Sequence, residues 1–284
     1  TEARTKFQVD TRFRVMPRCF GFYSLYDQSF PVAEIDEFVI ANSTMSYTDY
    51  QDCRELHLTV EIFNNDSIFL DLIQLLNLYN IPRSEFIRAV HKKVKKKDSV
   101  ISELYSSYCK EEMRNLSDTM GDLETFTHQS NNLQQYLDGY YGTNELLKYR
   151  YLATFENIEA LHELAYGVSI TLLKKRDQYS TELGHFLKEL HKFSLMRKMD
   201  TLATEQTTRA VFHYDFPKLM GNSFTLNPFK VSRPDGVEIE FFHSSAQRDL
   251  ISGYINQHGT SMISLGKILV RANLGRMYRS ARIS

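Results

Sequence analysis

Two Glu-x-x-His pairs are the residues whose type and spacing could do chemistry: Glu159/His162 and Glu182/His185. On a helix, positions i and i+3 share a face. Each pair would then present a carboxylate and an imidazole together, as di-metal carboxylate bundles require. Only 23 positions separate the two histidines, whereas the bundle pattern places another Glu-bearing helix between them. Surface or interhelix polar contacts are the simpler reading, and metal binding is kept as a weaker alternative. His162-Glu163 begins like H-E-x-x-H, but Tyr166 stands where the second histidine belongs, so the usual metalloprotease pair is excluded.

Other chemistries lack their loops. The sequence has no G-x-x-x-x-G-K-[ST], no G-x-G-x-x-G and no G-x-S-x-G, and only 12 glycines in 284 residues. No C-x-x-C occurs for zinc. The cysteines, Cys19, Cys53 and Cys109, are odd in number and far apart. They argue against a disulfide framework and for a reducing, cytoplasmic compartment. Cys19 and Cys53 are expected to be small buried apolar side chains. The run Lys92, Lys93, Lys95, Lys96 and Lys97 suits a solvated helix end that complements the macrodipole better than it suits a phosphate site.

With net charge −1, no overall field draws the chain to nucleic acid. No apolar run approaches the roughly 20 residues of a membrane span, and no signal peptide is visible. The tail is more distinctive. After Asp249 no acid follows, while Lys267, Arg271, Arg276, Arg279 and Arg282 add positive charge. Ile263, Ile268, Leu269, Ala272 and Met277 line much of the other side. Such a basic amphipathic helix suits an anionic membrane surface or an acidic partner, making the chain a helical interaction module. Docking onto the rest of the same protein is the plainer expectation.

The elements that must position these residues read as α+β, mainly α. Residues 12–42 are β-rich, with a strand over Val32–Ile40. Ser46 or Thr48 caps a helix whose stripe is Tyr50, Cys53, Leu56, His57 and Val60. Asp66 is expected to cap the next helix, Ser67–Tyr79, which is apolar nearly all round and therefore belongs inside a domain. Pro82 starts a helix burying Phe86, Ile87, Val90 and Val94. Asp98 caps one carrying Ile101, Leu104, Tyr105 and Tyr108. Residues 117–145 are polar and read as containing a loop. Helices resume over about 144–176 and 180–199. Strands over Arg209–Phe216 and Val237–His243 form a small β element, and helices near 245–257 and 260–279 close the chain. This organisation predicts two parts, residues 1–82 and 83–284.

One ordered segment is more specific. Thr11-Arg12-Phe13-Arg14-Val15-Met16-Pro17-Arg18-Cys19-Phe20-Gly21-Phe22-Tyr23 is followed by Val32 to Ser46, then Asp49-Tyr50, Cys53-Arg54, Leu56-His57-Leu58 and Phe63-Asn64-Asn65-Asp66. This order resembles the region just after the catalytic barrel of radical SAM enzymes, in the group with an N-terminal cobalamin-binding domain. The C-terminal Leu-x-x-x-Leu, Arg271 and Met277-Tyr278-Arg279 resemble that group's chain end.

The resemblance implies short N-terminal strands like the end of a radical SAM α/β barrel, with residues 1–82 a post-barrel segment and 83–284 a helical C-terminal domain. It covers residues 5–80 well and 98–240 thinly. The family's cluster needs a C-x-x-x-C-x-x-C loop, which these cysteines do not form. With Thr1 as its first residue, the chain is therefore expected to be cut from a longer polypeptide whose upstream part carries an iron–sulfur cluster, S-adenosylmethionine and, in this group, cobalamin. No cofactor is expected within the chain itself. Segments after the barrel cover the active-site mouth in such enzymes. Arg14, Arg18, Arg54 and His57 are then candidates to meet an anionic substrate, because guanidinium offers a planar fork. The plainer reading pairs Arg18 and Arg54 with Glu34, Asp36, Glu37 or Glu55.

Overall fold

The structure, a computed structural model, describes residues 2–96, 99–142 and 144–284. After a short helix α1 (Glu2–Phe7), strands β1 (Asp10–Leu25) and β2 (Gln28–Ala41) form an antiparallel hairpin. Its two-residue turn, Tyr26-Asp27, has positive φ at both positions. That backbone twist matches the twist of paired strands. Helices α2 (Tyr47–Val60), α3 (Leu70–Leu78), α4 (Arg83–Val94) and α5 (Val100–Arg114) follow, with a π-helical turn, Glu61–Asn65, continuing α2. Then come α6 (Met120–Thr127), α7 (Ser130–Leu137), α8 (Glu145–Tyr151), a second π turn (Leu152–Glu156), α9 (Ile158–Lys175) and α10 (Thr181–Lys198). The remainder holds β3 (Thr208–Tyr214), α11 (Phe216–Gly221), β4 (Ser232–Phe242), α12 (Ser245–His258), α13 (Met262–Arg271) and β5 (Ser280–Ile283). The fold is α+β and mainly helical.

Local chemistry explains many boundaries. The Ser46 hydroxyl accepts the Asp49 amide at 3.1 Å while the Asp49 carboxylate accepts the Ser46 amide at 2.9 Å, a reciprocal cap. Pro82 precedes α4, where its missing N–H costs nothing. Ser244 and Gln247 form a capping box on α12.

The chain divides into two compact units, each built from two stretches. The first comprises Thr1–His57 with Tyr105–Lys148, the second Leu58–Leu104 with Tyr149–Ser284. In the first, the hairpin packs against α6 and α7 through Val15, Leu123 and Tyr136, with Phe13, Phe20, Ile35 and Phe126 around them. Gly142 (φ +61°) closes on this cluster, and a Cβ there would meet the Tyr136 ring at 2.4 Å. Only glycine suits both the backbone and the space.

In the second unit, α9 packs on α4 and α10, and an antiparallel sheet of order β3-β4-β5 covers α10. Its centre is aromatic. The Phe193 ring stacks on Phe216 at 4.6 Å and meets Phe241 at 5.5 Å and Phe212 at 5.9 Å, all four fully buried. Burial of each such ring contributes on the order of 2–3 kcal/mol.

Several expectations change. Asp66 does not cap the third helix, which begins at Leu70; its carboxylate takes an arginine instead. That helix buries Leu72, Ile73, Leu75 and Leu76 but leaves Leu70 and Leu78 exposed. The α2 stripe is not a buried face: Cys53, Leu56 and His57 are exposed, and Leu58 and Thr59 are buried. Residues 117–145 contain two short helices, because Leu123, Leu133 and Tyr136 supply a core face within a polar stretch. The final helix stops at Arg271, and Ser280–Ile283 pairs with β4 as a third strand. By contrast, α4 buries the four residues expected of it. Asp98 and Lys97 lie outside the described residues, as does the side chain of Ile263.

Phe193→Ala is expected to lower the unfolding free energy of the second unit by about 3–5 kcal/mol, the cost of a large core cavity. Urea denaturation followed by tyrosine fluorescence measures it; a loss below about 1 kcal/mol contradicts the packing described.

Candidate functional site

In the first unit, β1 carries Arg14 and Arg18, α2 carries Arg54 and His57, and α5 and α8 bring buried acids. Arg14 Nη2 donates to both Glu145 oxygens at 2.9 Å. Glu145 also accepts the Asn115 amide. Arg54 makes a two-point fork with Glu112, Nε and Nη2 donating at 2.8 and 2.7 Å. Lys148 Nζ donates to Glu111 at 2.7 Å. The pairing expected for Arg54 therefore exists, but its partner is Glu112 of α5, not an acid of the hairpin or Glu55. Burial pushes the Glu145 carboxyl up, Arg14 opposes this, and Glu112 adds to it. Tyr50, Tyr108 and Arg54 line a shallow cleft beside Glu112. Burial, with Glu112 next, raises both tyrosine hydroxyls. This is a set of mutually compensating charges.

Arg18 differs. It sits exposed, with φ +69°, where the β1–β2 register shifts between Val15 and Phe20. It makes no ion pair or hydrogen bond with another described residue. The register shift leaves it without a ladder partner, and no pairing with Glu34, Asp36, Glu37 or Glu55 forms. His57 is exposed on α2. Of the three candidate arginines, Arg18 alone keeps its fork open.

The Glu-x-x-His residues do not converge. Glu159, Glu182 and His185 are exposed, whereas His162 is buried. The His162 Nδ1–H donates to the Ile158 carbonyl at 2.8 Å, and Nε2 accepts the Ser194 hydroxyl at 3.1 Å. Both ring nitrogens are occupied. Burial, aided by Lys198, lowers its pKa to about 3, so the ring is neutral. Among the described residues, no three His, Cys, Asp or Glu side chains gather as a metal site. Cys19 is half-buried, Cys53 is exposed, and Cys109 donates to Glu55 at 3.0 Å. The exposure of Cys53 corrects its expected burial: it lies on the solvent side of α2. These thiols are scattered and unsuited to sharing a cluster.

The second unit holds two polar centres that motif reading missed. At the first, Lys198 Nζ donates to Asp71 at 3.0 Å, to Ser194 Oγ at 2.6 Å and to the Ile68 carbonyl. Through Ser194 the chain of bonds runs on to His162. Burial lowers Lys198 to about 8, while Asp71 keeps it charged at neutral pH. Burial works against the Asp71 charge, but Lys198 outweighs it and holds the carboxyl below its ordinary range.

At the second, Arg150 donates to Asp66 at 2.5 Å, pairs with Glu61 at 2.9 Å and donates to the Leu269 carbonyl at 3.1 Å. Burial raises Asp66 to about 6 despite Arg150, with Glu61 contributing. Each π turn ends or begins beside this group, and such turns recur at functional positions. Asp66 and Arg150 line a polar cleft together with Arg271 and Asn273.

One sequence signal could have found the first centre. Asp71 is the single charge in the apolar helix Leu70–Leu78, and a lone acid there must be paired. The basic tail is partly absorbed within the unit. Arg282 pairs with Glu240 at 2.5 Å, and Arg279 is buried, donating to the Met196 carbonyl at 3.3 Å.

Asp66 gives a pH test. Its folded-state pKa lies above the unfolded value, so the folded chain binds the proton more tightly between about pH 4 and pH 6. The associated stability is present at pH 4 and lost as pH rises through 6. Relative to Asp66→Asn, the unaltered chain is expected to lose roughly 3 kcal/mol between pH 4 and pH 7. Urea unfolding of both proteins at several pH values checks this; a difference that stays flat with pH contradicts it.

No protein-family model matches this chain, and no curated protein matches it.

Proposed function

We propose that this chain is the C-terminal portion of a radical SAM enzyme of the group with an N-terminal cobalamin-binding domain, and that it shapes access to the active site. The observation that carries the reading is the ordered match over residues 11–66. Those residues make up the hairpin, α2 and the π turn that continues it. An antiparallel hairpin suits a segment that follows a parallel barrel, whose own strands need long crossovers. The hairpin exposes Tyr23, Leu25, Tyr26 and Phe30. Apolar side chains displayed together are the kind of surface that another part of a protein covers; the upstream part of the same polypeptide is the proposed partner.

The cysteines here do not fit an iron–sulfur cluster, so the cluster and S-adenosylmethionine belong upstream of Thr1 in this reading. What this chain contributes is binding and exclusion. Arg18 offers an open guanidinium to an anionic substrate, while Arg14 and Arg54 stiffen the scaffold through their carboxylates. No described helix is long and apolar enough to cross a membrane. A reducing cytoplasmic setting suits three cysteines that form no disulfide with one another.

Sequencing the gene upstream of Thr1 tests the reading: a C-x-x-x-C-x-x-C loop is expected in the same open reading frame, and its absence removes the proposal. In the intact enzyme, Arg18→Ala is expected to raise KM roughly ten-fold with kcat little changed, the loss of uniform binding. An unchanged KM takes Arg18 out of substrate recognition.

A further inference from the structure

The second unit opens a cleft of about 290 Å³ between α3, the end of α10 and the turn after α11. Arg197 lines it. Its Nε donates to the Arg279 carbonyl at 3.0 Å, and its guanidinium carbon lies 5.8 Å from the Phe193 ring centroid. These contacts fix the plane of the guanidinium. Neither Nη group has an acceptor among the described residues. The nearby carboxylate, Asp71, is already held by Lys198, the residue that follows Arg197 in the chain. A residue that lines the cleft therefore carries two donors without a partner among the described residues.

Charge and shape narrow what could fill it. Arg197 and Lys198 against Asp71 leave one net positive charge on the lining. Lys198 has spent its donors on Asp71, Ser194 and Ile68, and Tyr278 has spent its hydroxyl on the Asp66 carbonyl at 3.1 Å. A monoanion with two coplanar oxygens matches the end-on Nη pair. The rest of the wall is apolar: Leu70, one of two exposed leucines on α3, with Met220 and Phe224. Gln74 and Ser223 add neutral polar groups.

We infer that this cleft is a binding site for a small organic monocarboxylate, its carboxylate on the Arg197 Nη groups and its apolar body against Leu70, Met220 and Phe224. Met220 offers a reporter inside the site. In protein labelled at its nine methionine methyls, sodium hexanoate should shift the Met220 signal saturably, in the millimolar range ordinary for about eight heavy atoms. Hexylammonium should not, and inorganic phosphate should bind more weakly than hexanoate. Arg197→Ala should weaken hexanoate at least about ten-fold. Gln74→Glu adds a carboxylate at a half-buried α3 position on the cleft wall, leaving Arg197 itself unaltered, and should also weaken it. Should Arg197→Ala fail to fold, judged by its methyl spectrum, Gln74→Glu decides. The inference is overturned by no saturable Met220 shift with hexanoate, by unchanged affinity in Gln74→Glu, by unchanged affinity in a folded Arg197→Ala, by equal binding of hexylammonium, or by phosphate binding more tightly than hexanoate.

Discussion

The Lys198 ammonium governs the second unit. It is buried, so its three protons need three acceptors, and Asp71, Ser194 and the Ile68 carbonyl provide them. Meeting that demand fixes the end of α10 against the start of α3. Loss of either partner would leave an uncompensated buried charge, typically 3–5 kcal/mol. The same bonds propagate: Ser194, oriented by Lys198, donates a hydrogen bond to His162, which stays neutral and anchors to the backbone of α9. The bond that satisfies Lys198 also occupies Asp71, and this leaves the neighbouring Arg197 open to the cleft. A structural ion pair thus creates a vacant cation beside it.

The first unit treats its charges differently. Glu111, Glu112 and Glu145 are buried, and each has a dedicated cation. Fork geometry makes Arg54–Glu112 specific as well as attractive. The result is rigidity with little spare binding capacity. Arg18 escapes because a register shift in the hairpin leaves it without a ladder partner, so backbone irregularity, not charge count, decides which arginine is available.

Much of the local structure was legible in the sequence. The β-rich character of residues 12–42 gave strand there but not its antiparallel pairing, and the Phe86, Ile87, Val90, Val94 stripe gave α4 with its buried face. The elements that escaped depend on distant partners. Asp66 reads as a cap by type, but Arg150, 84 residues away, claims it. β5 is four residues of no special pattern, a strand only because β4 offers an edge and Glu240 offers Arg282 a carboxylate. Of the site residues, the paired state of Arg54 followed from composition, whereas its partner did not. The Lys198 centre was hidden because serine, lysine and histidine at helical spacing look like an exposed face until Asp71 is seen to lack any other partner.

The second unit also sets a schedule for synthesis. Its central strand β4 has neighbours on both sides, and one of them, β5, is among the last residues described. Tyr278 reaches back 212 positions to the Asp66 carbonyl, and the Arg279 amide bonds to Arg197. A ribosome therefore delivers α3, α4 and α10 well before the strand that completes their sheet. Contacts of such long sequence separation form slowly. In the interval the Phe193 cluster has one sheet edge uncovered. The nascent chain is most exposed to misassociation at that stage, while the sheet beside the Phe193 cluster still lacks its third strand.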